Sequence, residues 1–468
     1  MKPSKLFVAF FFWMMLNHSF ALAQDQTIEI KEKDTVSLSE KLLFQGEFHA
    51  HIRNYFMATD NENSLTDYYA NAIGAGIGYV SPLFHNFQFG LTGFFIFNVA
   101  SSDLTKSDPD AKSGSRYEVG LFDLTNPQNK YDLDRLEDLY LRYKYRRSKV
   151  ELGRFELNSP FINRQDGRMR GTIEEGVWVE WNEWKIAKIE GGWIRSISPR
   201  STVKWYNVAD SYGVYPSGVN EEGVKSAYAG FTRSTGIGLI GISLKPISNL
   251  KIQLWNQFAE NVFNTALGRV DYSVPVSGVT KLKGGLMFIH QDALANGGNP
   301  NPNHSYFGKN NFSNVYSGKI GLETDRIEGT LSYTHISHEG RFLMPREWGR
   351  EPFYTFMPRE RSEGFAGVNA WNINIGFLLM EGQLKTGLAY GRIDLPEVND
   401  FKKNKYGLPS YHQVNWNLHY SFNHYFKGLS MQLLVVYKKQ LDSLDFSPKY
   451  TFNKVNMTHF NWVVDYSF

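Results

Sequence analysis

In this chain apolar residues recur at every second position, stretch after stretch. Val414, Trp416, Leu418, Tyr420 and Phe422 alternate with Asn415, Asn417, His419 and Ser421. Ile373, Ile375, Phe377 and Leu379 alternate with Asn372, Asn374, Gly376 and Leu378, and Leu139, Leu141, Tyr143 and Tyr145 with Tyr140, Arg142 and Lys144. A β-strand turns successive side chains to opposite faces, so each stretch has one apolar and one small or polar side. A wall with hydrocarbon outside and water inside needs that pattern. It also explains a composition that is rich in aromatics (15%) and Gly (41 residues) but has a mean hydropathy of −0.38. The average sums two opposite faces.

The ends of the chain sharpen this. Lys2 and Lys5, the apolar run from Leu6 to Leu16 and the small-x-small triplet Ala21-Leu22-Ala23 predict a secretory signal over 1–23, cleaved after Ala23. The run is too short for the ~20 residues of a spanning helix, and no later stretch reaches even ~18. Residue 24 is Gln rather than Cys, which excludes a lipid-anchored lipoprotein. Residues 24–41 are polar and are read as a short periplasmic segment, with a single barrel domain over 42–468. At the far end Phe460, Trp462, Val464, Tyr466 and Phe468 share a face. A closing strand ending on Phe resembles the signal that the barrel assembly machinery reads in bacterial outer-membrane barrels. This makes Phe468 the candidate assembly signal and that machinery a partner.

The fold class expected is all-β: a transmembrane antiparallel barrel of about 18 strands with short periplasmic turns and long external loops. Strands are predicted near 42–57, 68–80, 86–99, 135–146, 149–157, 176–182, 184–197, 235–245 and 250–260, then 266–274, 279–290, 313–323, 326–337, 366–380, 382–393, 411–422, 428–440 and 455–468. The tenth is weakened by Pro275 and is included because a barrel of this class takes an even number. A barrel that wide leaves an aqueous lumen that wall side chains cannot fill, so only folded-in loops can narrow it.

The densest charge lies between the fifth and sixth strands. Arg154, Arg164, Arg168 and Arg170 fall there with Glu156, Asp166, Glu174 and Glu175, among Gly and Pro residues that shape the backbone. Such a loop is either a solvated external loop or a constriction whose opposed charges filter solutes. The run Gly153-Arg154, Ser159-Pro160, Asp166-Gly167-Arg168-Met169 and Glu175-Gly176, with Ser198-Pro199-Arg200 after the next hairpin, resembles the OprD family of outer-membrane porins. The resemblance implies an 18-stranded channel for small nutrients, often carboxylate-bearing. It implies an arginine-rich lumen track narrowed by the third loop (158–175) and the seventh (338–365). Carried over, Arg168 is the candidate pore-facing cation and Asp166 its acidic neighbour. Arg164, Arg170, Glu174 and Glu175 follow, then Arg195 and Arg200. A guanidinium stays charged and forks onto a carboxylate.

Other features are weaker signals. Loop seven carries Arg341, Arg346, Arg350, Arg359 and Arg361 among Trp348, Phe353, Tyr354 and Phe356. On an external loop this points to lipopolysaccharide contact, loop packing or pore lining rather than to nucleic acid. Gly236-Ile237-Gly238-Leu239-Ile240-Gly241 spells a dinucleotide fingerprint but sits inside a strand, without the helix it requires. His335 and His338 are placed on opposite strand faces. His49 and His51 share a face without a third ligand. The acids of loop two (Asp103, Asp108, Asp110, Asp123, Asp132, Asp134) suit a solvated loop better than calcium. The chain has no Cys, which excludes disulfides and thiolate chemistry, and its net charge of +3 excludes a polybasic nucleic-acid binder. No metal, cofactor or catalytic residue is expected. The partners expected are small-molecule permeants, outer-membrane lipid and lipopolysaccharide, with a homotrimer by analogy with other porins. The alternatives are a barrel enzyme of lipase or protease type, which lacks a recognisable nucleophile elbow, and a closed binding or adhesion barrel.

Overall fold

The computed structural model describes residues 45–62, 64–165, 168–422 and 426–468. The signal over 1–23 and the segment 24–41 lie outside the described residues. Each alternating stretch forms a strand. The first nine are β1 (Glu47–Asp60), β2 (Tyr68–Val80), β3 (Phe87–Ser101), β4 (Arg135–Tyr145), β5 (Ser148–Phe155), β6 (Ile173–Trp181), β7 (Ala187–Ser198), β8 (Tyr206–Asn207) and β9 (Ile237–Ile247). The next five are β10 (Leu250–Ala259), β11 (Phe263–Ser277), β12 (Thr280–Ala293), β13 (Phe312–Glu323) and β14 (Ile327–Ile336). The last five are β15 (Val368–Leu379), β16 (Leu384–Asp394), β17 (Tyr411–Ser421), β18 (Leu429–Gln440) and β19 (Met457–Ser467). Neighbours pair antiparallel in chain order, and β19 pairs back onto β1, closing the wall. The two-residue β8, which the alternation did not foresee, caps only the end of β7, where β9 is the true neighbour. Eighteen wall strands therefore stand, the number expected from the alternation together with the even-number rule.

The faces divide as the period requires. On β13, Tyr316, Ile320 and Leu322 are exposed on the outside, while Ser313, Val315 and Ser317 are buried inside. On β19, Trp462 and Tyr466 face out, whereas His459, Asn461 and Val463 are buried inward; Phe468, just beyond the strand, is exposed. Phe468 ends the seam, exchanging two backbone hydrogen bonds with Ala50 at 2.9 and 3.0 Å. Higher on the same seam, Arg53 forks onto Asp465 at 2.6 and 3.0 Å.

Most predicted bounds move by a few residues, and two of the changes have a physical reason or limit. The first strand begins at Glu47 among the described residues. The tenth predicted strand, 266–274, is longer, spanning Phe263–Ser277 and including Pro275. The β10 ladder stops at Tyr272, and the β12 register slips just after Pro275. The missing N–H thus falls where the ladder is ending, the position sheets allow to proline.

Connections at one end are short, among them 146–147, 248–249, 278–279 and 324–326. At the other end lie nine connections, numbered here one to nine. Loop two is 102–134, loop three 156–172, loop four 199–236, loop six 294–311, loop seven 337–367, loop eight 395–410 and loop nine 441–456. These long loops fold inward. Trp348, Phe342, Phe353 and Phe365 of loop seven pack with Phe161 of loop three, Tyr212 of loop four and Phe307 of loop six against wall residues such as Phe263. A second cluster joins Phe94, Tyr117, Met169 and Phe452 beneath loops two and nine. The apolar core therefore sits inside the barrel mouth and is built from loops.

Candidate functional site

Loop three reaches loop seven through local chemistry that its sequence spells. Ser159 Oγ accepts hydrogen bonds from the N–H groups of Phe161 (3.3 Å) and Ile162 (2.9 Å), and Ser159 N–H donates to Ile162 O (2.8 Å). The Ser-Pro pair thus makes a tight turn that drives Phe161 and Ile162 into the core. Asn163 then copies a strand pairing: its N–H donates to Trp348 O (3.1 Å), its Nδ2 to Arg350 O (3.0 Å), and its Oδ1 accepts from Arg350 N (3.1 Å). Gly349 permits the approach, because a Cβ there would lie 2.8 Å from Phe161 O. Gln165 follows at φ 65, a left-handed conformation uncommon for a side-chain-bearing residue. Its Oε1 accepts from Arg361 Nη2 (2.9 Å) and its Nε2 donates to Arg346 O.

Buried ion pairs brace the loop-seven side. Arg346 pairs with Glu363 and lies 3.9 Å over the Tyr406 ring. Arg361 donates to Gly349 O (2.8 Å) and Glu351 Oε2 (3.1 Å). Arg350 stacks 4.5 Å over Phe356.

Cavities lie on either side of this junction, and Gln165, Arg350 and Phe356 line both. The outer one, about 630 Å³, opens among the long loops. Among the described residues its wall holds ten bases and one acid, Glu360. The bases are Arg346, Arg350, Arg359 and Arg361 of loop seven, Arg116, Arg168 and Arg200 of loops two to four, Lys405 of loop eight, and Lys449 and Lys454 of loop nine. Burial lowers the Lys405 pKa to about 8. Burial, with the like charges of Arg116, Arg346 and Lys449, lowers that of Lys454 to about 7. Glu347, behind the wall, is pushed up to about 7 by burial and accepts from the N–H of Tyr215 at 2.8 Å.

The inner cavity, about 1120 Å³, extends to the short turns and has mixed charge. A relay of carboxylates and lysines crosses three strands: Glu151–Lys149 (2.6 Å), Lys149–Glu180 (3.1 Å), Glu180–Lys188 (3.0 Å) and Lys188–Glu190 (2.8 Å). Arg269 pairs with Asp271 at 2.6 Å. Lys245 and Lys251 line the same cavity and have no carboxylate partner among the described residues.

The residues singled out by sequence scatter. Arg168 lines the outer cavity, donates from Nη1 to Tyr117 O (3.0 Å), and its own carbonyl accepts from Arg53. Arg200 lines the outer cavity as well, and Arg164 lines the inner one, paired with Glu156 at 3.2 Å. Asp166 lies outside the described residues. Arg170 is buried, donating to Leu133 O and Thr202 O (both 3.1 Å), so it braces loops two to four; burial lowers its pKa to about 9. Glu174 is buried, accepting from Leu157 N at 3.0 Å. Glu175 and Arg195 share the parity of the outward set Val177, Val179 and Trp193, pair with each other, and line neither cavity.

Sequence reasoning missed the wall lysines and Arg135. The signal was available: Lys251, Gln253, Trp255 and Gln257 occupy the inward parity of β10, opposite Leu250, Ile252, Leu254 and Phe258. Buried Arg135 donates to Ser198 Oγ (2.9 Å), Pro199 O (3.2 Å) and Gly171 O (2.7 Å), and so explains why Ser198-Pro199 follows the hairpin. Among the described residues no cluster of three or more His, Asp or Glu is arranged for a metal. His335 instead shares a hydrogen bond with Asn369 Oδ1 at 3.0 Å.

Residues 44–356 match the family model described as outer membrane porin, OprD family. No curated protein sequence matches the chain. Among solved structures the chain is similar to OpdK of Pseudomonas aeruginosa, crystallised with vanillate (TM-score 0.69, 12% identity, covering 91% of this chain and 99% of that one). It is also similar to OccK9 (OpdG) of the same organism (TM-score 0.70, 12% identity, 90% and 98% covered) and to OccAB3 of Acinetobacter baumannii (TM-score 0.70, 14% identity, 91% and 99% covered). At those identities the structural likeness speaks for the barrel, and the family match, which spans more than half of the 468 residues, speaks for kinship. The chain belongs to the OprD family and is a porin of the outer membrane, a channel for small molecules.

Proposed function

We propose that this porin is a passive diffusion channel with a preference for small hydrophilic anions, carboxylate-bearing nutrients first among them. The observation that carries this reading is the junction of loops three and seven, where Gln165, Arg350 and Phe356 line both cavities. A solute crossing there passes a guanidinium backed by an apolar ring. Preorganised cations in a narrow, partly desolvated passage lower the barrier for an anion and raise it for a cation. Arg168 and Arg200 extend the positive wall outward. Lys245 and Lys251 continue it inward, past the self-neutralised relay of Lys149, Lys188 and their glutamates. Vanillate in the OpdK structure is itself a carboxylate-bearing aromatic, which is consistent with this class of permeant. Liposome swelling tests the reading. Carboxylates should enter faster than sugars or cationic amino acids of equal size. Equal rates across the panel would reject the preference, and no swelling at all would reject the open channel.

A further inference from the structure

The two cavities differ in kind. Among the described residues the inner one holds eight bases against five acids and pairs Lys149, Arg164, Lys188 and Arg269 with carboxylates, whereas the outer one holds ten bases against one acid. Carboxylates behind the outer wall account for some of these: Glu363 for Arg346 and Glu351 for Arg361. Arg116, Lys449 and Lys454 have no carboxylate partner among the described residues, and Lys405 feels Glu363 and Glu347 behind the wall without forming an ion pair with either. They are held by rings and carbonyls instead. Arg116 lies 5.6 Å over Tyr117, Lys449 lies 4.6 Å over Tyr450, and Lys405 lies 5.1 Å over Tyr306. Lys454 Nζ donates to the carbonyls of Tyr406 (3.0 Å) and Lys449 (2.8 Å). Loops two, eight and nine thus bring like charges onto one hollow, and that repulsion is relieved when an anion arrives. A single carboxylate can meet only part of this wall. The volume, about 630 Å³, falls within the ~300–1,000 Å³ usual for small-molecule sites, so there is room for a second anionic group.

We propose that the outer cavity is a loading site for small solutes carrying two or more anionic groups, entered from the external side. The proposal rests on the channel reading above and deepens it: the junction admits anions, and the outer cavity ranks them by charge. The mixed charge of the inner cavity gives a polyanion no comparable station on the other side.

Single-channel recording on the purified full chain tests this, with propionate, succinate and citrate added separately to either side. External citrate should interrupt the current with about tenfold higher affinity than succinate, and succinate with about tenfold higher affinity than propionate, a step of one close charge contact each. Added salt should weaken all three. The double variant Arg116→Gln/Lys449→Gln should lower citrate affinity about tenfold or more, while Lys112→Gln, exposed on loop two and lining neither cavity, should not. A phosphate monoester in the same series shows whether charge alone or the carboxylate is read. Equal block by all three acids, or equal block from both sides, overturns the proposal and leaves the channel standing. Calorimetry of citrate with the protein folded in detergent separates the two readings. Citrate binding without current steps would reject the channel and keep the site; current steps without citrate binding would reject the site and keep the channel.

Discussion

Lys245 and Lys251 line the inner cavity and belong to the proposed anion path. Each stands on the inward parity of its strand, and neither has a carboxylate partner among the described residues. Replacing both by Gln should lower the anion-to-cation permeability ratio about fivefold, equivalent to about 1 kcal/mol, as read from reversal potentials. An unchanged ratio would remove them from the path. Lys405 and Lys454 add a pH dependence. A lysine carries its charge below its pKa and loses it above. With values near 8 and near 7, both are cationic at pH about 6 and largely neutral at about 9. Anion preference should therefore fall as pH rises through that window, and a flat profile would contradict the assignment. At this scale the sequence was only partly legible. The motif singled out Arg168 and Arg200, and both line the outer cavity. Arg170 and Glu174 belong to the same charged run but are spent on bracing, because a buried guanidinium or carboxylate takes whatever backbone partner the fold supplies. Spacing along a chain does not say which charges will be paired.

Strands were legible because their period is imposed by the membrane on every one of them, and a slip of one residue would turn the apolar face into the lumen. Loops were not, because their shape depends on partners far away in sequence. Asn163 meets Arg350 and Trp348 meets Ser211, and nothing local to either loop announces the other. Trp348 is fully buried where loops three, four and seven converge. Trp348→Ala should cost about 3–5 kcal/mol of local packing. Faster hydrogen exchange across 337–367 should report it, with the wall strands unaffected. If exchange in that loop does not change, the loop core is not what holds the constriction. On the wall, Leu331→Arg places a charge on the outward face and should destabilise the folded barrel by about 2–4 kcal/mol. Thr330→Lys, one residue away on the inward parity, should cost much less. Urea unfolding in liposomes compares the pair, and equal costs would contradict the assigned faces.

For the whole molecule, average hydropathy concealed a membrane protein because inside and outside were summed, and near-neutral net charge concealed a cavity lined by ten bases. The barrel supplies a rigid frame and the external loops fill its mouth; on the proposed reading, the passage between loops three and seven sets what crosses. Its central claim is that this passage favours anions. The reversal potential of single channels in a planar bilayer, under a tenfold potassium chloride gradient near neutral pH, tests that claim most directly. The account requires discrete current steps with a reversal potential of the sign that chloride permeation sets. A potential of the opposite sign, set by potassium, would contradict it.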